Sequence, residues 1–364
     1  MNTIESGAWV ACAMSGGVDS SVTAALLQQQ GYRVLGVTMR LWSDTEEHTR
    51  ACCSLSAVDD AKRVCVRLGI PHYVFNMEET FHRAVVDDFV AEYRAGHTPN
   101  PCIRCNRFVK FTALLDQARA LGAHYLATGH YARLGYDAEF GRWYVRRGAD
   151  PAKDQSYALY GITQAQLAQT LLPLGALEKT RTRAIAAELG LRVAQKPDSQ
   201  EICFIPDNDY GRFLRDEAPE ATQPGPIVDA DGQQVGIHQG VAFYTVGQRR
   251  RLGLTIPAPR FVTALDAPRN TITVGPRTAV LHRRVLAGDV VCGKLDAEAL
   301  RAPRPVTAMI RYAMRPQPAS AHLDGETLQV TFDTAQFAIT PGQAVVCYDG
   351  DAVLCGGTIL ASPE

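Results

Sequence analysis

Ala13-Met14-Ser15-Gly16-Gly17-Val18-Asp19-Ser20-Ser21 stands between an apolar run at residues 10–14 and a helical pattern at 21–30. Two adjacent glycines let the backbone turn tightly and come close to an anion. Ser15, Ser20 and the free N–H groups that open a helix can hold phosphate oxygens. The string is not the Walker pattern, since the lysine is absent and the spacing differs. A plain capped strand–turn–helix connection shares its shape but has no use for the whole string.

Outward from this loop, apolar runs at 34–39, 72–75 and 125–128 read as strands. Helical spacing recurs at 57–68, 80–94 and 108–121. Strand–helix alternation predicts an α/β fold with a parallel sheet covered on both faces and ligands beyond the carboxyl ends of its strands. Gly31, Gly69 and Gly122 each follow an apolar helix, as C-terminal caps do. From about residue 133 the pattern is mixed, with a hairpin at 132–136 and 142–147 and helical stretches at 165–172 and 182–189. Beyond about residue 207, short alternating runs punctuated by Gly and Pro (262–265, 271–274, 307–310, 328–332, 344–348 and 353–359) read as one or two small β-barrel or sandwich modules.

The 364 residues are 46% hydrophobic and carry 37 Lys+Arg against 38 Asp+Glu, which excludes a strongly basic nucleic-acid coat but not a local patch. Residues 198–231 hold nine acids and two arginines, whereas residues 246–284 hold eight arginines and the single acid Asp266. The second stretch suits phosphate contacts, which need local cations only. No apolar run reaches the roughly 18 residues of a membrane span, and the stretch 8–14 reads as a buried strand. Ten cysteines are too sparse for a disulfide scaffold, so the protein is expected in the cytoplasm.

Two further strings carry chemistry. In Thr98-Pro99-Asn100-Pro101-Cys102-Ile103-Arg104-Cys105-Asn106-Arg107, two prolines fix an extended loop ahead of a C-x-x-C pair, and Arg104, Arg107 and Lys110 favour a thiolate. That pair by itself reads as half a zinc site, a redox couple or a coincidence; no second Cys or His pair stands at a suitable spacing. In Lys196-Pro197-Asp198-Ser199-Gln200-Glu201-Ile202-Cys203-Phe204-Ile205, Cys203 reads equally as a buried inert thiol or a loop-borne reactive one.

Together and in this order, the three strings resemble the bacterial tRNA-specific 2-thiouridylase family of the PP-loop ATPase superfamily. Ala127-Thr128-Gly129-His130-Tyr131, Lys153-Asp154-Gln155-Ser156-Tyr157, Gly236-Ile237-His238-Gln239-Gly240, Tyr244-Thr245-Val246-Gly247-Gln248-Arg249-Arg250 and Thr340-Pro341-Gly342-Gln343 match as well, extending the resemblance over residues 8 to 360. The Ser-Gly-Gly loop marks only the superfamily; Asn-Pro-Cys-x-x-Cys-Asn with a later Ile-Cys-Phe is specific to the thiouridylases.

The resemblance implies a PP-loop catalytic domain (1–206), a small central domain (207–278) and a C-terminal β-barrel (279–364). It implies transfer of sulfur to C2 of the wobble uridine (U34) of tRNA, with ATP and Mg²⁺. Ala13, Met14, Ser15, Gly16, Gly17, Val18, Asp19 and Ser20 would bind the phosphates, with Met39 and Gly129 beside the adenosine. Cys203 would carry a persulfide, supplied by a sulfur-carrier protein or a cysteine desulfurase relay, and Cys105 would be its partner nucleophile. Asn100, Pro101 and Cys102 would face the target base. His130, Lys153, Asp154 and Gln155 would meet the tRNA, and Arg311, Tyr312 and Gln343 its anticodon arm. The chain would act as a monomer, with no membrane.

Two positions depart from the family pattern: Cys102 stands where some members carry Asp, and Arg251 where a Gly usually follows the Gln-Arg-Arg/Lys run. Two alternatives stand beside this reading. One is a PP-loop adenylating ligase for a small molecule, which leaves Cys105, Cys203 and the barrel without work. The other is an iron–sulfur variant of the same thiolation, with Cys102, Cys105 and Cys203 as ligands. Cys12, Cys52, Cys53, Cys65, Cys292, Cys347 and Cys355 are expected to be buried or incidental.

Overall fold

The computed structural model describes the chain apart from residues 1–6, 43–54, 198–201, 206, 208, 255–257 and 363–364; Cys52 and Cys53 lie outside the described residues. Two compact units emerge. Met1–Val85, Cys102–Asn208 and Asp351–Val353 form the first; Val86–Pro101, Asp209–Gly350 and Leu354–Glu364 form the second.

The chain begins β1 (Trp9–Ala13), α1 (Val18–Gln29), β2 (Arg33–Arg40), α2 (Leu55–Leu68) and β3 (His72–Asn76). Next come α3 (Glu78–Phe81), a π-helical turn (His82–Val86), α4 (Asp87–Arg94), α5 (Pro101–Arg104), a π-helix (Cys105–Leu114) and α6 (Leu115–Ala120). After these follow β4 (Tyr125–Ala127), the hairpin of β5 (Ala132–Asp137) and β6 (Arg142–Arg147), α7 (Gln164–Leu167), β7 (Thr170–Leu171) and α8 (Lys179–Glu188).

In the first unit the sheet runs β3-β2-β1-β4-β7, and every pair is parallel. β1 lies at its centre, with Val10, Ala11 and Cys12 fully buried, as a parallel strand covered on both faces requires. Close approach is written into Gly36 of β2: a Cβ there would sit 2.5 Å from Cys65 Sγ of α2. One core joins Val10 and Val34 from the strands, and Met14 just after β1, to Val22 and Leu27 of α1, Val64 of α2 and Ile185 of α8. Gly31, Gly69 and Gly122 follow their helices at φ +85°, +67° and +83°.

Two helical expectations need correcting. The stretch 80–94 is broken by the π turn at His82–Val86. The stretch 165–172 yields only the single turn of α7, opened by a Thr163/Gln166 capping box. Thr170 and Leu171 then pair with Leu126 and Ala127 as the last strand of the sheet. An apolar run this short fits either period, and the unpaired side of β4 decides it.

In the second unit α4 packs with α9 (Tyr210–Glu217), Phe89 against Phe213 and Tyr93 against Tyr210. β8 (Gly225–Val228), β9 (Gln234–His238), β10 (Phe261–Asp266) and β11 (Thr271–Gly275) form a four-stranded sheet over Ile227, Val241, Val262 and Ile272. β12 (Leu281–Cys292), β13 (Arg304–Met309), β14 (Gln317–Asp324), β15 (Thr327–Phe337), β16 (Ala344–Asp349) and β17 (Ala352–Ala361) follow. They close into a six-stranded barrel, because β12 pairs with both β15 and β17. β12 escaped the sequence reading because register shifts between His282 and Arg284 and between Gly288 and Val291 break its alternation.

Candidate active site

β1 ends at Ala13 and the loop of residues 15–20 leads into α1, with Gly17 as its N-cap. Gly16 takes φ +66°, and a Cβ on it would lie 2.3 Å from the Ala57 carbonyl oxygen. Only glycine fits this close approach of the loop to Ala57. Ser20 Oγ ties the loop together: it accepts from Ser15 N at 3.2 Å, lies 3.3 Å from Ser15 Oγ and donates to Gly17 O at 3.2 Å. Upstream, Met14 O accepts from Thr38 Oγ1 at 3.0 Å, and that hydroxyl lies 2.8 Å from His72 Nε2. Burial, reinforced by Lys62, lowers the His72 pKa. Met39, half-buried, is the next residue on β2.

Asp19 is held by two side chains from later in the chain. Its Oδ1 and Oδ2 each accept from Lys179 Nζ at 2.8 Å, and Oδ1 also accepts from Tyr131 Oη at 2.8 Å. Lys179 is 8% exposed and is the first residue of α8, the helix end that electrostatically disfavours a cation; the Asp19 carboxylate offsets this. A second lysine, Lys196, donates to Gly16 O at 3.1 Å and to Asp60 Oδ2 at 2.9 Å. Behind the loop, a Cβ on Gly129 would stand 3.0 Å from Ser20 N and from Asp19 C, so glycine lets the β4 connection touch the first turn of α1. His130 accepts or donates at Nδ1 to Thr128 Oγ1 at 2.7 Å. Burial first and Lys110 second hold its pKa well below the usual range, so the ring is neutral at pH 7.

The C-x-x-C pair lies on a helix rather than in a loop. Pro101 begins α5, Cys102 is exposed on it, and buried Cys105 opens the ten-residue π-helix. Three residues apart, the two thiols fall on neighbouring positions of one helical face. Long π-helices are rare and gather at functional sites. The flanking cations have partners of their own. The Arg104 and Arg107 guanidinium groups lie 4.4 and 5.0 Å from the Phe108 ring, and Lys110 Nζ donates to Asn106 Oδ1 at 2.9 Å.

Cys203 is half-buried, and the neighbouring Phe204 ring packs edge-on against Phe81 of α3 at 5.7 Å. α3 in turn contacts the π-helix that Cys105 begins, so one short helix touches both thiol-bearing segments. Residues 198–201, which lead into Cys203, lie outside the described residues. None of the described cysteines is joined in a disulfide. Among the described residues no three His, Cys, Asp or Glu side chains gather as a metal site. Burial raises the thiol pKa of Cys12 and pushes that of Cys65 up to about 12, which leaves both inert.

The string Lys153-Asp154-Gln155 supports this site from behind. The Asp154 carboxylate accepts from Arg147 Nε (2.8 Å), Gly148 N (2.9 Å), Ser156 N and Ser156 Oγ (3.1 Å each). Gln155 N donates to Tyr131 O and Gln155 Oε1 accepts from Tyr131 N, both at 2.9 Å, which fixes the backbone of the tyrosine that holds Asp19. Lys153 is half-buried. Sequence reading missed Lys179 and the supporting role of Tyr131. Lys179 lies 160 positions from Asp19 in a plain helical segment, and no spacing rule reaches that far.

In the second unit Arg249, Arg250 and Arg251 are all exposed. Around Phe337, Arg311 donates from Nη2 to its carbonyl at 3.0 Å and Arg277 lies over its ring at 5.3 Å; Tyr312 is 47% exposed. Gln343 Nε2 donates to Thr98 O at 2.8 Å, two residues before half-buried Asn100.

Family models match the chain in three parts: a tRNA methyl transferase HUP domain over residues 8–207, a tRNA methyl transferase PRC-barrel domain over 211–276 and an aminomethyltransferase beta-barrel domain over 290–359. A tRNA-specific 2-thiouridylase MnmA of Heliobacterium modesticaldum is 55% identical over 96% of this chain and 92% of its own length. Proteins of the same name from Pelotomaculum thermopropionicum (52% identical, 98% of both chains) and Clostridioides difficile (49% identical, 96% of this chain and 97% of its own) are similar throughout.

Proposed function

The chain belongs to the tRNA-specific 2-thiouridylase family, and from that premise we propose that it is a cytoplasmic tRNA-uridine 2-sulfurtransferase, acting as a monomer on U34 with ATP. The observation that carries this reading is the presence in one compact unit of an anion-cradling Ser-Gly-Gly loop and two thiol-bearing segments that meet on α3. The working parts correspond to residues 1–206 for catalysis and to 207–278 and 279–364 for RNA.

A uridine C2 carbonyl is a poor electrophile because its oxygen leaves badly. Transfer of AMP from ATP to that oxygen, with release of pyrophosphate, makes AMP the leaving group. The N–H edge at Ser15, Gly16 and Gly17 and the hydroxyl of Ser20 hold the phosphates, with Ala13, Met14 and Val18 shaping the turn and Met39 and Gly129 beside the nucleoside. Mg²⁺, when bound, would stabilise charge on the departing pyrophosphate, while Asp19, already paired with Lys179, braces the loop that holds the phosphates.

The outer sulfur of a Cys203 persulfide, delivered by a sulfur-carrier protein or desulfurase, attacks C2 and expels AMP. The Cys105 thiolate then attacks Cys203 Sγ. The S–S bond to the base breaks, 2-thiouridine departs and a Cys105–Cys203 disulfide remains for a thiol reductant to reset. Asn100, Pro101 and Cys102 face the base, which must leave its stack. His130 and Lys153 would meet the RNA, while Asp154 and Gln155 brace the fold. Arg311 and Tyr312 meet the anticodon arm, which is held through phosphates and stacking.

The test is thiolation of unmodified tRNA by the full chain with ATP and a persulfide donor, read by mass spectrometry of the nucleosides. Wild-type protein should form 2-thiouridine; Cys105→Ser and Cys203→Ser should each abolish it. Full activity in either variant rejects the mechanism, and ATP–pyrophosphate exchange driven by a small acid but not by tRNA would favour the ligase reading.

A further inference from the structure

The segment that carries Asn100 is built into the second unit, although its sequence lies inside the N-terminal domain. Val86–Pro101 clusters with residues 209–350. Phe89 and Tyr93 of α4 pack on Phe213 and Tyr210 of α9, Arg94 pairs with Glu220, and Arg94 Nη2 also donates to Glu217 O at 3.0 Å. Gly96, at φ +76°, ends α4 and turns the chain toward the barrel.

There Thr98 has every polar group bound. Its N–H donates to Pro341 O at 2.9 Å, its carbonyl accepts from Gln343 Nε2 at 2.8 Å, and its Oγ1 lies 3.1 Å from Thr245 Oγ1. Gly342, at φ +87°, leaves room for the loop: a Cβ on it would meet His97 Cβ and Thr98 N at 3.0 Å. Position 343 is itself fixed to β17, since Gly342 N donates to Ile359 O at 3.0 Å and Ile359 N to Gln343 O at 2.7 Å. Pro99, the next residue, is buried.

We propose that Gln343, Thr245 and Thr98 form a clamp that makes the Asn100 loop part of the RNA-binding unit, so that Gln343 is a positioning residue for the target-base loop. The proposal rests on the thiolation reading and deepens it. Docking of tRNA on the barrel and placement of the loop become one event: the module that grips the anticodon arm carries the loop that meets the base. The Gln343 amide is already engaged with the Thr98 carbonyl, a bond that contact with RNA alone gives no reason to make. Misplacing a reacting group by about 1 Å lowers rates on the order of a hundredfold, so a loosened clamp acts on turnover, whereas a lost RNA contact acts on affinity.

The experiment uses the full chain and Gln343→Met, which keeps the shape and removes the donor. Expected are a kcat for tRNA thiolation lowered about tenfold to a hundredfold, a tRNA Kd by filter binding within about twofold of wild type, and faster amide hydrogen exchange at Thr98. A raised Kd with unchanged kcat, or unchanged exchange at Thr98, overturns the clamp. If Gln343→Met does not fold, Thr245→Val removes only the hydroxyl contact and must show the same split in smaller measure. Wild-type protein inactive on tRNA would reject the thiolation reading, and the exchange rate at Thr98 would still decide the clamp.

Discussion

Lys179 Nζ lies 2.8 Å from both carboxylate oxygens of Asp19, so the acid of the Ser-Gly-Gly string is already neutralised before any nucleotide arrives. The lysine side chain is 10% exposed and the aspartate 32%. Lys179→Met keeps the volume but leaves Asp19 with Tyr131 alone. Removing one partner of a buried pair costs about 3–5 kcal/mol, and partial exposure of Asp19 reduces this to about 2 kcal/mol. Urea unfolding measures that loss. Calorimetric titration should show weaker ATP binding, and Lys179→Arg should recover part of both.

Gly16→Ala tests the loop itself. The new Cβ would meet Ala57 O at 2.3 Å in a left-handed backbone. Strain and overpacking together should remove roughly 3 kcal/mol, and ATP binding should be lost, since relief requires moving the N–H edge. Retained binding with unchanged thermal stability would show that the loop does not depend on this glycine.

His97 adds a pH dependence to the second unit. Its Nδ1 lies 3.0 Å from Glu92 Oε2, and this hydrogen bond, opposed by burial and aided by the carboxylate charge, raises its pKa above 6.5. A raised folded pKa means that the stabilisation is complete below pH 6.5 and disappears as pH climbs through the folded value. The stability difference between wild type and Glu92→Gln should therefore be largest in mild acid and vanish in alkali; a difference that grows with pH would contradict the pairing.

Arg251 occupies φ +63°, the position where relatives of the family usually carry Gly. A non-glycine residue there costs on the order of 1 kcal/mol. Arg251→Gly should stabilise the chain by about that amount, while lowering tRNA affinity and making it less salt-dependent by about one phosphate contact. Stabilisation without any change in RNA binding would mean that the arginine only strains its turn.

The parallel sheet and its loop were legible because their signals are local: apolar runs, a glycine pair and glycine caps at Gly31, Gly69 and Gly122. Cys105 and Cys203 were legible as types, but not that Cys102 and Cys105 ride a helix, since a π-helix has no sequence signature. Lys179, His72 and Tyr131 stayed hidden because their partners lie far along the chain. Gln343 was read from resemblance as an RNA contact; its bond to Thr98 O depends on a pairing 245 residues apart. The arginine clustering near residue 250 was visible, whereas β12 was lost to its bulges.

The division of the chain has a consequence for how such a protein can be taken apart. The backbone passes between units after Val85, Pro101, Asn208, Gly350 and Val353. No single cut releases either unit whole. A fragment ending near residue 208 would keep α4 yet strip Phe89 and Tyr93 of Phe213 and Tyr210, leaving a greasy flap that invites aggregation. Releasing either unit intact would therefore take more than one break in the backbone.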